Sequence, residues 1–99
     1  MQLTTTVRAC PEVMIAQVQG ESVLLQVESG EYFGLNKVGS RIWQLIGSPK
    51  RLQDVVEALL LEFEGSREQV EVDVVRIVEE LHAAALARVC GPGDNLSGK

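Results

Sequence analysis

Apolar and polar residues change rhythm along this chain at Asn36. Before it, the spacing is close to two: Val13-Met14-Ile15-Ala16-Gln17-Val18-Gln19, then Ser22 to Val27, then Glu31-Tyr32-Phe33-Gly34-Leu35. These runs are rich in β-branched and aromatic residues and partly alternate, as half-buried strands do. Gly20-Glu21 and Glu28-Ser29-Gly30 separate them as turns, so the stretch predicts a three-stranded antiparallel meander with 13–27 as its first hairpin. After Asn36, a good helix N-cap, Val38, Ile42, Trp43, Leu45 and Ile46 recur at helical spacing until Gly47-Ser48-Pro49, where the proline removes a donor and restricts its predecessor. A second helix is predicted from about Arg51 to Phe63, with Leu52, Val55, Val56, Leu59, Leu60 and Phe63 as its apolar face. Glu64-Gly65 ends it, and Ser66, with Gln69 as a capping-box partner, starts a third helix expected to reach about Val89. Residues 1–11 read as a lead-in segment, 12–89 as the domain and 90–99 as a polar tail. Strands first and helices after predict an α+β domain, with helices packed on one side of the antiparallel sheet.

Two elements carry more apolar or unguarded surface than a closed core needs. At roughly 100° per residue, Val70, Val74, Ile77, Val78, Leu81, Ala84 and Ala85 of the third helix form one arc, the natural core face. Val72, Val75 and Leu86 lie beside it, with Glu79 and His82 among them. The combined arc is wider than the stripe of about 100° that a one-sided helix shows. Either the helix offers a second face, or the extra residues rest on the first helix or the sheet edge. The third strand, Glu31 to Leu35, has no positive charge and no proline. An open edge there is a template for strand addition by a partner peptide; the alternative is an edge covered by the chain's own N-terminal arm. Phe33 and Leu35 share one face of this strand and Tyr32 takes the other, and alternation alone leaves open which face meets the core.

Composition narrows the chemistry. The 99 residues make one domain. Fourteen acidic residues stand against nine basic ones, for a net charge of −5, and the basic residues are scattered. Nucleic-acid binding, which draws on clustered cations, is disfavoured. Cys10 and Cys90 flank the domain and are read as two thiols in a reducing compartment, with a bridge between the chain ends as the alternative. Met1 to Cys10 lacks the apolar core of a signal peptide, and no apolar run approaches the roughly 20 residues of a membrane span, so a soluble, cytoplasmic protein is expected. His82 is the only histidine and has no second histidine to share a metal. A cysteine nucleophile would need His82 beside it and a third group to orient the pair. No phosphate-cradling loop opens a helix. The residues therefore predict a protein that is not an enzyme and holds no metal or cofactor.

The run Gly30-Glu31-Tyr32-Phe33-Gly34-Leu35-Asn36-Lys37-Val38-Gly39-Ser40-Arg41-Ile42-Trp43-Gln44-Leu45-Ile46 resembles the signature of PqqD-like proteins, the precursor-recognition elements of ribosomally made, post-translationally modified peptides. The helix with Leu52, Val55, Val56 and Leu59 and the long acidic-apolar third helix extend the resemblance over about residues 12–89. Its wording is most similar to the stand-alone recognition proteins of lasso-peptide biosynthesis, and less so to the protein of pyrroloquinoline quinone synthesis, whose peptide-chaperone role is the alternative. The resemblance implies a winged helix-turn-helix with a three-stranded antiparallel sheet followed by three helices. It also implies non-catalytic capture of a precursor's leader segment as a strand added to Glu31, Tyr32, Phe33, Gly34 and Leu35, in a cleft walled by the third helix. Val72, Val75, Glu79, His82 and Leu86 are the expected wall. The implied partners are the leader peptide, a cysteine-type leader peptidase and an ATP-dependent cyclase. A winged-helix DNA-binding regulator is the competing reading, resting on Lys37, Arg41, Lys50 and Arg51 around the helix-turn-helix.

Overall fold

A computed structural model describes residues 1–90 of the chain. The elements run β1 (Thr6–Ala9), β2 (Met14–Val18), β3 (Glu21–Gln26), β4 (Glu31–Leu35), α1 (Lys37–Leu45), β5 (Lys50–Arg51), α2 (Leu52–Glu62), α3 (Arg67–Ala83) and β6 (Ala87–Cys90). The expected meander is β2-β3-β4, with β3 in the middle. The α+β order of three strands followed by three helices stands as read. What periodicity did not show is a second sheet, β5-β1-β6, also antiparallel. The expected lead-in segment of residues 1–11 therefore supplies its central strand, with Val7, Ala9 and Cys10 buried. Four-residue and two-residue strands are too short to display a period, and these acquire their pairing only when distant parts of the chain meet. The expected tail lies, from residue 91 onward, outside the described residues.

Burial confirms the helical faces. Ile42, Trp43 and Ile46 of the first helical segment, Leu52, Val55, Val56 and Leu59 of α2, and Val74, Ile77, Val78 and Leu81 of α3 join Leu24, Leu35 and Val7 in one core. Asn36 caps α1 as expected, its Oδ1 accepting from the Gly39 N–H at 2.9 Å. Ser66 caps α3 through the Gln69 N–H at 3.2 Å. The reciprocal half of that capping box is absent among the described residues, because the Gln69 amide donates forward to Asp73 instead.

The third helix stops six residues before the expected Val89. Ala85 adopts a left-handed conformation, φ 62°. Its N–H donates to the His82 carbonyl at 3.0 Å and the Leu86 N–H donates to the Leu81 carbonyl at 2.8 Å. This pair of bonds is a Schellman motif, built with alanine where glycine is usual. The Gln26 side chain holds the turn, donating to the Ala85 carbonyl at 2.7 Å. Three successive alanines read as helix by propensity. Tertiary pairing of β6 with β1 and burial of Leu86 override that preference. Because a left-handed alanine costs about 1–2 kcal/mol, Ala85→Gly should raise stability by about 1 kcal/mol, read as a higher urea midpoint at unchanged slope.

The β1–β6 register also decides the cysteines. Thr6 faces Cys90 and Ala9 faces Ala87, so Cys10 lies beyond the opposite end of the ladder. Four residues of strand span about 13 Å, whereas a disulfide needs Cα atoms within about 7 Å. Both cysteines are free. No helix among the described residues is long and apolar enough to cross a membrane.

Candidate functional site

The β4 strand pairs with β3 on one side, from Ser22–Leu35 to Gln26–Glu31. Among the described residues it has no strand neighbour on the other side. The N-terminal arm does not cover that edge, since β1 pairs with β5 and β6. The orientation left open by alternation is settled by register. Phe33 pairs with fully buried Leu24, and Leu35 pairs with buried Ser22, so both point to the core, while Tyr32 points outward and is 73% exposed.

The two residues after Asn36 and Lys37-Val38, Gly39 and Ser40, explain part of the sequence motif physically. A Cβ on Gly39 would stand 3.1 Å from a Leu35 methyl, so glycine lets the first turn of α1 lie directly against the end of β4. The Ser40 hydroxyl donates to the Leu35 carbonyl at 3.4 Å. The end of the edge strand is thus anchored to a capped helix rather than left as a loose hairpin. Gly34 is different: a Cβ there would meet nothing within 4 Å. Its vacancy serves no packing within the described chain, and a strand glycine often marks a close approach by another backbone.

A cleft of about 150 Å³ runs between β4 and α3, lined by Phe33, Gly34, Leu35, Asn36, Gly39, Arg76, Ile77 and Glu80. Arg76 lies 3.6 Å from Glu80 and 3.8 Å from Asp73. Exposed pairs of this kind contribute less than about 1 kcal/mol, so the wall can exchange them for contacts with a guest.

The structure sets the expected wall residues in separate surroundings. On α3, Arg76, Ile77 and Glu80 line the cleft beside β4. Val72, Val75 and Glu79 occupy the opposite flank and border a separate groove of about 450 Å³ with Leu3, Glu71 and the Arg76 side chain. There Glu79 accepts from the Met1 ammonium at 2.6 Å. Ala84, Ala85 and Leu86 of the expected arc lie beyond the end of α3, and a helical projection cannot say which flank a distant strand will adjoin. Leu86 is not on the helix at all: it follows the left-handed turn and is 1% exposed, inside the core. His82 borders a third recess, of about 550 Å³, with Cys10, Glu12, Gln26, Glu28 and Arg88 among its walls. Cys10 and His82 thus meet one recess, but no hydrogen bond joins them among the described residues, and the pair lacks the contact that activates a thiol. Sequence reasoning did not single out Arg76 and Glu80, because charged residues at this spacing look like an ordinary solvated face.

Two of the four cations that motivated a DNA-binding reading, Arg41 and Arg51, are engaged by carboxylates. Arg41 clamps the Glu62 carboxylate of α2 through Nε and Nη2 at 2.8 Å each. Hydrogen bonding from Arg41 holds the Glu62 carboxyl below its usual range. Arg51 lies 3.5 Å from Asp54.

With this geometry in place, similarity to known proteins becomes informative. The family model described as coenzyme PQQ synthesis protein D (PqqD) matches residues 21–87. Two solved structures are similar. "TbiB1 in Complex with the TbiA(beta) Leader Peptide" is 36% identical, with 82% of this chain and 94% of that one covered and a TM-score of 0.73. "Lasso peptide synthetase B1 complexed with the leader peptide" is 32% identical, covering 83% and 96%, with a TM-score of 0.67. No curated protein sequence matches the chain.

Proposed function

Because this chain belongs to the PqqD family, we propose that it is a non-catalytic binding protein for the leader segment of a precursor peptide, acting in lasso-peptide biosynthesis. The observation that carries the reading is the unpaired β4 edge facing a cleft whose far wall is α3. A leader segment in extended conformation adds to β4 as a fourth strand, drawing affinity from backbone hydrogen bonds and selectivity from side-chain pockets. Glu31 to Leu35 supply the backbone template. Arg76, Ile77 and Glu80 supply the wall in place of Val72, Val75 and Glu79, while Leu86 serves the core and His82 stands apart. The two similar structures are complexes with leader peptides by their own descriptions, which supports the same ligand class here. A chaperone role in pyrroloquinoline quinone synthesis, the other reading that the family description supports, uses the same edge.

In this proposal the domain works in the cytoplasm as the substrate-holding member of a set. A cysteine-type leader peptidase and an ATP-dependent cyclase perform the chemistry. Capture raises the local concentration of precursor at those enzymes and presents it in one register, since a one-residue slip would turn every leader side chain to the opposite face.

Fluorescence anisotropy with a labelled cognate leader tests the proposal. A saturable isotherm with a Kd of micromolar or tighter is expected, equivalent to about −8 kcal/mol or better. No saturation at concentrations a hundredfold higher would defeat it.

A further inference from the structure

The sheet that carries β4 has a second open edge. β2 pairs with β3 on one side, and among the described residues no strand pairs with its other side. Every residue of β2 is exposed, Met14 to 60%, Ile15 to 44% and Val18 to 61%. Free edges are normally guarded by charge, proline or a bulge. Met14-Ile15-Ala16-Gln17-Val18 has no charge and no proline, and its register with β3 runs without a bulge.

The turn fixes which backbone groups stand free. Gln19 and Gly20, at φ 53° and 85°, form the two-residue connection between β2 and β3, a type I′ hairpin. The pair that closes such a turn, Val18–Glu21, is hydrogen-bonded, and bonded and non-bonded pairs alternate from there. Met14, Ala16 and Val18 therefore turn their N–H and C=O groups toward β3, and Ile15 and Gln17 turn theirs to the open side. These two residues stand symmetrically about Ala16. A two-fold axis through Ala16, normal to the sheet, sets Ile15 of one copy opposite Gln17 of a second, and each such pair exchanges both of its backbone bonds. Ala16 then meets its own counterpart at a closely spaced non-bonded position, where two methyl groups leave the strands room. Met14 meets Val18. The contact is isologous and closes on itself, as a two-fold requires.

Charge agrees with this occupant. Residues 13–19 carry no charge, so the net charge of −5 brings no repulsion into the seam itself. Just beyond it, the same register brings Glu12 opposite Gly20 of the second copy. The Lys37 side chain lies there, 3.3 Å from where a Gly20 Cβ would stand. Among the described residues Lys37 makes no ion pair, and Glu12 makes one, with Arg88 at 4.0 Å. The seam is small. Five residues at about 3.4 Å each, on an edge about 10 Å deep, bury on the order of 200 Å² per copy, against about 800 Å² for a standard interface. The association is therefore weak and depends on concentration.

We propose that β2 is a self-association edge: two copies join through Met14–Val18 into one six-stranded sheet ordered β4-β3-β2-β2-β3-β4. Both β4 edges lie at its far ends, so pairing leaves each candidate site open and places two of them in one particle. The inference stands on the geometry of β2 and does not depend on what β4 binds.

Sedimentation equilibrium of the intact chain tests the seam. The average mass is expected to rise from 10.8 kDa toward twice that value, with a midpoint on the order of 100 µM for so small an interface. Ala16→Lys and Ala16→Glu each set like charges against one another across the axis. Each is expected to self-associate about fivefold more weakly than wild type, while an equimolar mixture of the two associates about tenfold more tightly than either alone. Gln17→Pro removes an N–H that points away from β3, so it spares the hairpin and is expected to abolish association with the thermal midpoint little changed. Leader Kd, measured in parallel, is expected to be unaltered in all three. A wild type that stays monomeric to about tenfold above that midpoint would overturn the proposal. So would a dimer that all three variants leave intact, or a mixture that associates no better than its components. A monomeric wild type whose Gln17→Pro variant loses the leader would give this edge to the leader peptide, overturning both the seam and the β4 site.

Discussion

Gly34→Val is expected to weaken leader binding at least tenfold, about 1.4 kcal/mol, while leaving the thermal midpoint unchanged or slightly raised. The free domain has room for the new side chain, since a Cβ at this position meets nothing within 4 Å. Glycine within a strand is unfavourable for the free fold, by roughly 0.5–1 kcal/mol against alanine, and valine is among the better strand formers. A fold that tolerates a larger residue yet holds glycine on its open edge has left a vacancy beside the incoming backbone. Filling it obstructs the added strand at the residue between Phe33 and Leu35. Paired anisotropy and thermal-unfolding measurements on the same preparation check the prediction. Equal affinity in wild type and variant would show that the leader does not approach Gly34, and a large loss of stability would show that the vacancy serves the domain itself.

Trp43→Ala is expected to cost about 3–5 kcal/mol of folding stability, the usual consequence of emptying a large aromatic site in a core. Trp43 is 9% exposed and lies with Ile42 and Ile46 in the cluster that joins α1 to α2, α3 and the inner face of β3 and β4. Small domains are stable by only about 5–15 kcal/mol, so the variant forfeits a large share of the total. Urea unfolding should show the midpoint falling steeply at similar slope. Leader affinity should fall only in proportion to the folded fraction, because Trp43 is absent from the lining of the cleft. A folded variant with a selective binding defect would instead move Trp43 from support to contact.

The meander and the three helices were legible because each is long enough to show its own period and is punctuated by Gly, Pro, Asn or Ser. The β5-β1-β6 sheet was not, since Thr6–Ala9 and Lys50–Arg51 show no period of their own and pair across more than forty residues of chain. The end of α3 was misplaced because Ala83-Ala84-Ala85 favours helix locally, and only the Gln26 clamp and the pairing of β6 pull the chain into a left-handed turn. At the candidate site, the strand Glu31 to Leu35 was found from its composition and motif. Which flank of α3 adjoins β4 was not legible, because the placing of a helix against a distant strand is a tertiary property.

By itself, then, the sequence determined the element types from β2 to α3, the caps at Asn36 and Ser66, the core faces of the helices and the absence of positive charge and proline along β4. Those are local properties, set by side-chain period and by hydrogen bonds within a few residues. Tertiary structure alone decided that β4 keeps an open edge, that Arg76 and Glu80 rather than Val75 and Glu79 confront it, and that Cys10 and Cys90 stand too far apart to bridge. Each of these depends on where separate elements come to rest against one another. That is fixed by the burial of a shared core and the closure of long-range strand pairs, neither of which any window along the chain contains.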